Sequence, residues 1–482
     1  MVDVSDNSDL EKQPTERAWL RVPASEIIRD PSSYVDPQGF LFHWQDRVLR
    51  CVYSGAREQF DRLLSNGTLE RLTAHFNLVR TWREAMEVEG HDGALVLGHE
   101  KIAPVTFCAE WCPSMLLSAA HTTLDIQEEL VAHDLSLQDA YPWNVLFDGV
   151  SPRFVDVTSI VPTDQSALWP AQEQFEAYFF RPLVLSSEGK GAAARALLTN
   201  NIEGIPLQLF FKLSSLGFKL RHPGTGLVLL ADKALQKSAA SKTWAYRFAE
   251  SATREVPAET RLAFVRGLRR RIDAVSLGAV TDPWKSYYAE LGAEVDPAAK
   301  LDAVGGVLAR LRPDTVLDLG CNTGVFSFLA ADHGAQVIAV DSSEACIEGV
   351  YHRAVHDGAR ITPLLSDVVC PTATGGFMST QYPPLWERVR SDVVLCLGLM
   401  HHLHINGRQS FGRISRLLDA TAGKAVIFEF IAMDDANVPR ISGRRPVNYD
   451  LETVEAALRR AFPKITRLAS DRPTRCLLVC ER

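Results

Sequence analysis

Residues 316–324 read Val316-Leu317-Asp318-Leu319-Gly320-Cys321-Asn322-Thr323-Gly324. An apolar strand carries Asp318 near its end, and a glycine-spaced turn leads into a helix expected from about Val325. Gly320 and Gly324 let the backbone pass close to a bound ligand, where a Cβ would stand in the way. The pattern is D-x-G-x-x-x-G and differs from the G-x-G-x-x-G turn that holds a pyrophosphate on a helix N-terminus. An acid before the first glycine suits a ligand that carries an amine and no phosphate. A glycine after a strand is by itself only a turn, so the neighbouring runs decide its meaning.

Four further apolar runs follow. Gln336-Val337-Ile338-Ala339-Val340 ends in Asp341, 23 residues past Asp318 and near the spacing at which α/β folds set a carboxylate against ribose hydroxyls. Ile361 to Leu365 leads to Ser366-Asp367, Asp392 to Gly398 leads to Leu399-Met400-His401-His402, and Ala425 to Phe428 ends in Glu429. Runs alternating with helical patterns indicate a parallel sheet with crossover helices. Polar residues at the carboxyl end of each run fit the rule that open sheets bind ligands along that edge. One such Asp alone would read as a helix N-cap.

Together these segments resemble the class I S-adenosylmethionine (SAM) methyltransferases, whose glycine turn lies along the methionyl part of the cofactor. The resemblance implies an α/β fold with a Rossmann-like, mostly parallel seven-stranded sheet. It implies SAM as cofactor and S-adenosylhomocysteine as product. It implies cofactor contacts from Asp318, Gly320, Asn322 and Gly324 in the turn, and from Asp341 and Ser342 at the ribose. Asp367 would stand against the adenine amino group, with Leu397 and Gly398 alongside.

The chain has 482 residues, 46% of them hydrophobic and 23% charged, which suits a soluble globular protein of two or three domains. A formal charge of −8 supplies no electrostatic reason to bind nucleic acid or anionic lipid. The one basic knot, Arg266 to Arg271, reads as a solvated helix face. Nine cysteines form no CxxC pair, and neither Cys108/Cys112 nor Cys476/Cys480 has the partner ligands of a metal site. Reduced thiols, the absence of an apolar leader before about Arg17 and the lack of a long apolar stretch lead us to expect a cytoplasmic protein with no bound metal.

A second signal lies between Leu124 and Ile160. Asp139 and Asn144 sit five residues apart on a loop, and Asp156 ends a short strand 12 residues later. This resembles the catalytic segment of protein kinases and aminoglycoside phosphotransferases, where the first Asp orients the acceptor hydroxyl and the other two residues hold Mg²⁺. No Gly-rich phosphate loop precedes it, and no strand lysine stands in a V-A-I-K setting. We therefore expect a degenerate α+β kinase-like domain, with an active phosphotransferase as the rival reading.

The expected organisation is a flexible tail over 1–18, a kinase-like substrate or accessory domain over 19–232, a helical linker over 233–296 and a SAM-binding domain over 297–482. From about Leu97 to Phe462 the order of motifs resembles a group of bacterial two-part methyltransferases similar to a rhizobial nodulation protein. That group implies the reaction class and leaves the acceptor open.

The acceptor side is read from chemistry. Methyl transfer from a sulfonium is a direct displacement, and a hydroxyl acceptor must lose a proton. His401, then His402, stand where related O-methyltransferases carry a base, though both would equally cap or pack. Glu429 is a further candidate base. Trp284, Tyr288, Phe377 and Trp386 are candidate acceptor-lining residues, and the stretch from Cys370 to Trp386 is long enough to act as a lid. The reaction expected is O-methylation of a small, specialised-metabolite or glycan-type molecule. N- or C-methylation, a bifunctional enzyme and a non-catalytic SAM-binding protein are the alternatives.

Overall fold

The computed structural model describes residues 20–33, 36–164, 167–200, 203–221, 255–278, 297–435, 438 and 449–482. The contacts divide the chain into two compact units, Met1–Lys101 and Ile102–Arg482. Trp284 and Tyr288, the tail and most of the linker lie outside the described residues.

The first unit is built on an antiparallel five-stranded sheet in the order β2-β3-β4-β7-β5. Its strands are β2 (Ile28–Arg29), β3 (Gly39–Trp44), β4 (Arg47–Val52), β5 (Thr81–Arg83) and β7 (Leu95–His99). The helices Arg57–Ser65 and Thr68–His75 connect β4 to β5, and β1 (Leu20–Val22) pairs in parallel with β6 (Met86–Val88). Phe40, Phe42, Leu49, Cys51, Met86 and Val96 form its core.

The second unit begins with an α+β region. Its long helix, Pro113–Val131, starts on a proline, whose missing N–H costs nothing at a first helical position. β8 (Leu135–Leu137) pairs antiparallel with β11 (Ile160–Pro162). β9 (Val145–Asp148) and β10 (Ser151–Phe154) make a hairpin whose turn opens on Gly149 at φ +62°, the left-handed conformation that two-residue hairpin loops require. A helix from Gln172 to Ser187, with a wider π turn at Glu176–Phe180, follows.

The basic knot is a solvated face, with Arg266, Arg270 and Arg271 exposed, and it is also paired. On the helix Ala258–Asp273, Arg269 pairs with Asp125 and Glu128, Arg266 with Glu128, and Arg271 with Glu176. Arg261, almost fully buried, reaches Asp134. The arginines thus fasten this helix to Pro113–Val131 and its neighbours.

The remainder carries the seven-stranded sheet, in the order β14-β13-β12-β15-β16-β18-β17. Its strands are β12 (Thr315–Leu319), β13 (Gln336–Asp341), β14 (Ile361–Leu365), β15 (Ser391–Cys396), β16 (Ala422–Ile431), β17 (Lys464–Ala469) and β18 (Arg475–Glu481). The first five run parallel, and β18 enters antiparallel between β16 and β17. Strands covered on both faces read as unbroken apolar runs, which is why the sequence shows them so plainly. Pro363 is tolerated because β14 is an edge, and β17 guards the other edge with Lys464 and Arg467. Leu317, Leu319, Val394, Val426, Phe428 and Phe462 belong to the core on one face. The carboxyl ends of the parallel strands share one edge, and the candidate site is built there. Among the described residues no helix is long and apolar enough to cross a membrane.

Candidate active site

Asp318 is 3% exposed at the end of β12. Burial, with some help from the Asp341 charge, pushes its carboxyl up to about 6, although the Ser327 hydroxyl donates a 2.6 Å hydrogen bond that opposes the shift. The turn beyond it hugs the neighbouring strand: the Gly320 and Cys321 amides both donate to the Val340 carbonyl, at 2.8 and 3.1 Å. Gly320 and Gly324 adopt φ +71° and +78°. A Cβ on Gly324 would lie 2.9 Å from the Val350 side chain, and one on Gly320 would lie 3.1 Å from Leu399. Left-handed backbone and protein neighbours therefore already require these glycines, whereas the sequence reading attributed them to ligand space alone.

Asp341 accepts from the Asn322 and Ser343 amides, both at 2.8 Å, so its carboxylate ties the turn to the end of β13. Ser342 is exposed, while its neighbour Ser343 caps the helix Glu344–Asp357 by accepting from the Cys346 amide. Asp367 is exposed at the end of β14 and accepts from the Val369 amide at 2.8 Å. Leu397 is buried, and Gly398 turns at φ +65° toward the histidines.

His401 is 3% exposed, and its Nδ1 has no hydrogen-bond partner among the described residues. Burial, then the nearby His402, Arg475 and Lys300, pull it down to about 3, against an upward pull from Asp435. Burial also lowers His402, whose ring lies 4.2 Å from that of His401. A wider π turn at His402–Asn406 follows, a distortion frequent at functional sites. His404 is engaged elsewhere, bonded to the Gln409 carbonyl and stacked on Phe411. Among the described residues no group of three or more His, Cys, Asp or Glu is arranged to hold a metal.

Glu429 has no solvent exposure. It receives the Lys300 ammonium at 2.7 Å and the Ser470 hydroxyl at 2.7 Å. Next to it, Arg475 donates to the buried Asp435 at 2.8 Å and lies 3.6 Å from Asp471. The sequence reading missed Lys300, Ser470 and Arg475. Their only signal is a lysine in the helix before the first strand and a charged turn before the last.

The long connection between β14 and β15 is not uniform. Phe377 and Met378 stand 76% and 79% exposed at its tip, while Trp386 packs against the sheet core. In the α+β region, Asp139 accepts from the Gln174 amide at 3.1 Å and Asp156 from the Thr158 hydroxyl at 2.6 Å. The Asn144 amide nitrogen is buried with no partner among the described residues. A cavity of about 640 Å³ opens beside this loop, lined among others by Tyr141, Glu173, Gln174, Tyr178, Glu203 and Lys212.

A mostly parallel seven-stranded sheet with a glycine turn and acids along its carboxyl edge defines a class I SAM-dependent methyltransferase, and residues 316–421 match the methyltransferase domain family. The protein is a SAM-dependent methyltransferase, and SAM is its cofactor. Over 444 residues it is 29% identical to nodulation protein NoeA of Rhizobium meliloti (strain 1021), spanning 89% of this chain and 91% of that one. It is also similar to magnesium protoporphyrin IX methyltransferase from Synechocystis PCC 6803, at 19% identity and TM-score 0.27, over 38% of this chain and 81% of that one. A Burkholderia thailandensis 1,6-didemethyltoxoflavin-N1-methyltransferase is similar at 19% identity and TM-score 0.29, over 41% of this chain and 84% of that one.

The Glu429–Lys300 pair yields a test of the edge itself. Lys300→Met leaves a carboxylate buried and unpaired and is expected to cost about 3–5 kcal/mol, read from urea unfolding. Lys300→Met/Glu429→Gln should recover most of that loss. An unchanged midpoint in the single variant would contradict the pairing.

Proposed function

We propose that the protein methylates a hydroxyl of a small-molecule acceptor, with Asp318 and Asp341 holding the cofactor and His401 taking the acceptor's proton. One observation carries the base assignment: a buried imidazole beyond β15 whose Nδ1 has no partner among the described residues. A buried polar atom left unpaired in a native site calls for a ligand group.

The donor set fits the cofactor. Asp318 is a buried carboxyl whose raised pKa reflects an uncompensated place for negative charge, which an ammonium group would relieve. Asp341 is held by two amides at the spacing that suits a ribose diol. When bound, SAM supplies an electrophilic methyl on a sulfonium whose positive charge disappears as the methyl leaves. A proton accepted by His401 restores that charge within the site, so the imidazolium forms where a cation has just been lost. This offsets the burial that keeps His401 neutral beforehand. Glu429, committed to Lys300 and Ser470, serves better as a scaffold than as a base.

We also read residues 19–232 as a degenerate kinase-like region that presents the acceptor. Supporting this are an antiparallel five-stranded sheet with helices between β4 and β5, then a long helix, the Asp139–Asn144 loop, a hairpin and Asp156. The central strand β4 carries Arg50 in place of a lysine, and Asp139 and Asp156 are bonded to Gln174 and Thr158. The cavity beside Asp139 mixes aromatic, acidic and amide groups, a lining suited to a small polar molecule.

Three outcomes are expected. In calorimetry, Asp341→Ala should weaken SAM binding about ten- to a hundredfold, since a charge-assisted hydrogen bond is worth about 1.5–3 kcal/mol. Affinity should also rise with pH through about 6 as Asp318 ionises, a dependence that Asp318→Asn removes. The sign for stability is opposite: a carboxyl raised in the folded state stabilises the apo protein below 3.8 and loses that contribution as pH passes about 6. Unchanged affinity in both variants would defeat the cofactor assignment.

Turnover should show no ionisation near 6.5 from His401, because burial holds it at about 3. His401→Ala should lower kcat by roughly 10²–10⁴-fold with little change in SAM affinity. If His402→Ala alone is crippled, the role moves one residue. If neither substitution matters, the acceptor is an already nucleophilic nitrogen, sulfur or carbon.

Purified protein should release no ADP from ATP and Mg²⁺ above background. A burst of ADP abolished by Asp156→Asn would instead establish a bifunctional enzyme.

A further inference from the structure

The connection from Asp367 to Ser391 is fastened to a part of the second unit that lies outside the methyltransferase sheet. Arg388, with its side chain 4% exposed, pairs with Glu110, which has no exposure at all. One contact of the pair is 3.0 Å, between Arg388 Nη1 and Glu110 Oε2. The Glu110 carboxylate is held in turn by the Phe107 amide at 3.0 Å. The guanidinium lies 4.3 Å over the Phe107 ring, its Nη1 donates to the Val105 carbonyl, and its Nε donates to the Pro383 carbonyl at 3.0 Å. Arg388 therefore bridges two carbonyls, one on the α+β region and one on the connection. Tyr382 adds a second anchor, edge-on to Phe107 at 5.4 Å and stacked on Trp143 at 6.0 Å.

Between these anchors the connection is closed on itself. The Leu385 amide donates to the Thr372 carbonyl, and Gly375 and Tyr382 exchange backbone hydrogen bonds. Its first residues belong to the site edge: Asp367 ends β14, and a Cβ on Gly407, just past the histidine turn, would lie 2.9 Å from the Val369 side chain. One continuous segment thus runs from the end of the sheet beside the histidine turn to the α+β region.

We propose that Glu110, Arg388, Tyr382 and Trp143 are positioning residues for methyl transfer, locking the Asp367–Ser391 connection so that the adenine edge and the histidine turn hold their geometry. The proposal deepens the functional reading, since it rests on Asp367 standing at the adenine edge. It assigns the α+β region a role in the methyltransferase itself: it braces the loop that closes one side of the site. A planar guanidinium with donors in fixed directions suits this task, and neither lysine nor an apolar residue replaces it.

A buried ion pair is often replaceable by apolar side chains without loss of stability, which separates packing from positioning. The full-length variants Glu110→Gln, Glu110→Leu/Arg388→Met and Trp143→Ala would be compared for thermal midpoint, SAM affinity by calorimetry and hydrogen exchange over residues 368–391. Glu110→Gln should lower the midpoint. The double variant should regain the midpoint yet bind SAM about tenfold more weakly, with faster exchange confined to 368–391. Recovery of stability, affinity and protection together would overturn the proposal and leave a structural pair only. Should the double variant fail to fold, Trp143→Ala decides, because it leaves the ion pair intact: faster exchange over 375–388 with weakened SAM binding supports the brace, and wild-type values for both defeat it. An Asp367→Ala control with wild-type affinity would defeat the adenine-edge reading, and the exchange data then judge the brace alone.

Discussion

A carboxylate removed from water must find either a cation or a proton, and this structure resolves that constraint differently at each of its buried acids. Glu429 takes Lys300, Asp435 takes Arg475 and Glu110 takes Arg388. Asp318 accepts from the Ser327 hydroxyl and feels the Lys300 charge, yet burial still raises its carboxyl to about 6. Asp318 lies at the end of β12, and His401, whose Nδ1 has no partner among the described residues, lies beyond the adjacent β15.

The same constraint organises the chain at larger scale. The arginines of the helix Ala258–Asp273 spend their charge on Asp125, Glu128, Asp134 and Glu176. On the other side of the α+β region, the Ser114 amide and hydroxyl reach Glu348 and His352, and Arg195 reaches Glu344. These contacts bind the helix Glu344–Asp357, which follows Asp341, to the α+β region. With the Arg388–Glu110 pair they make the second unit one body.

Read from the residues, the glycine turn, the five parallel strands and the acids at their ends were legible, because a strand buried on both faces must be apolar throughout and a ligand edge must not be. The glycines illustrate the limit of that reading. The pattern read as space for a ligand, whereas the left-handed backbone and the side chains that a Cβ would meet, Val350 and Leu399, come from the fold. Glu429 shows the same limit more sharply: at a strand end it reads as a candidate base, and only the packing of Lys300 and Ser470 against it shows the carboxylate to be committed.

The sequence by itself determined the class of fold through periodicity and turn chemistry, and the resemblance that its motifs carry supplied the cofactor. The tertiary structure decided which polar groups are free to act. Partners 129 residues apart, as for Lys300 and Glu429, or 278 apart, as for Glu110 and Arg388, leave no local signature. The pKa of His401 was largely beyond sequence: the adjacent His402 contributes, but burial comes first, and Arg475 and Lys300 act on it from distant parts of the chain. Charge pairing and desolvation act through space, and only the folded chain fixes the distances that they depend on.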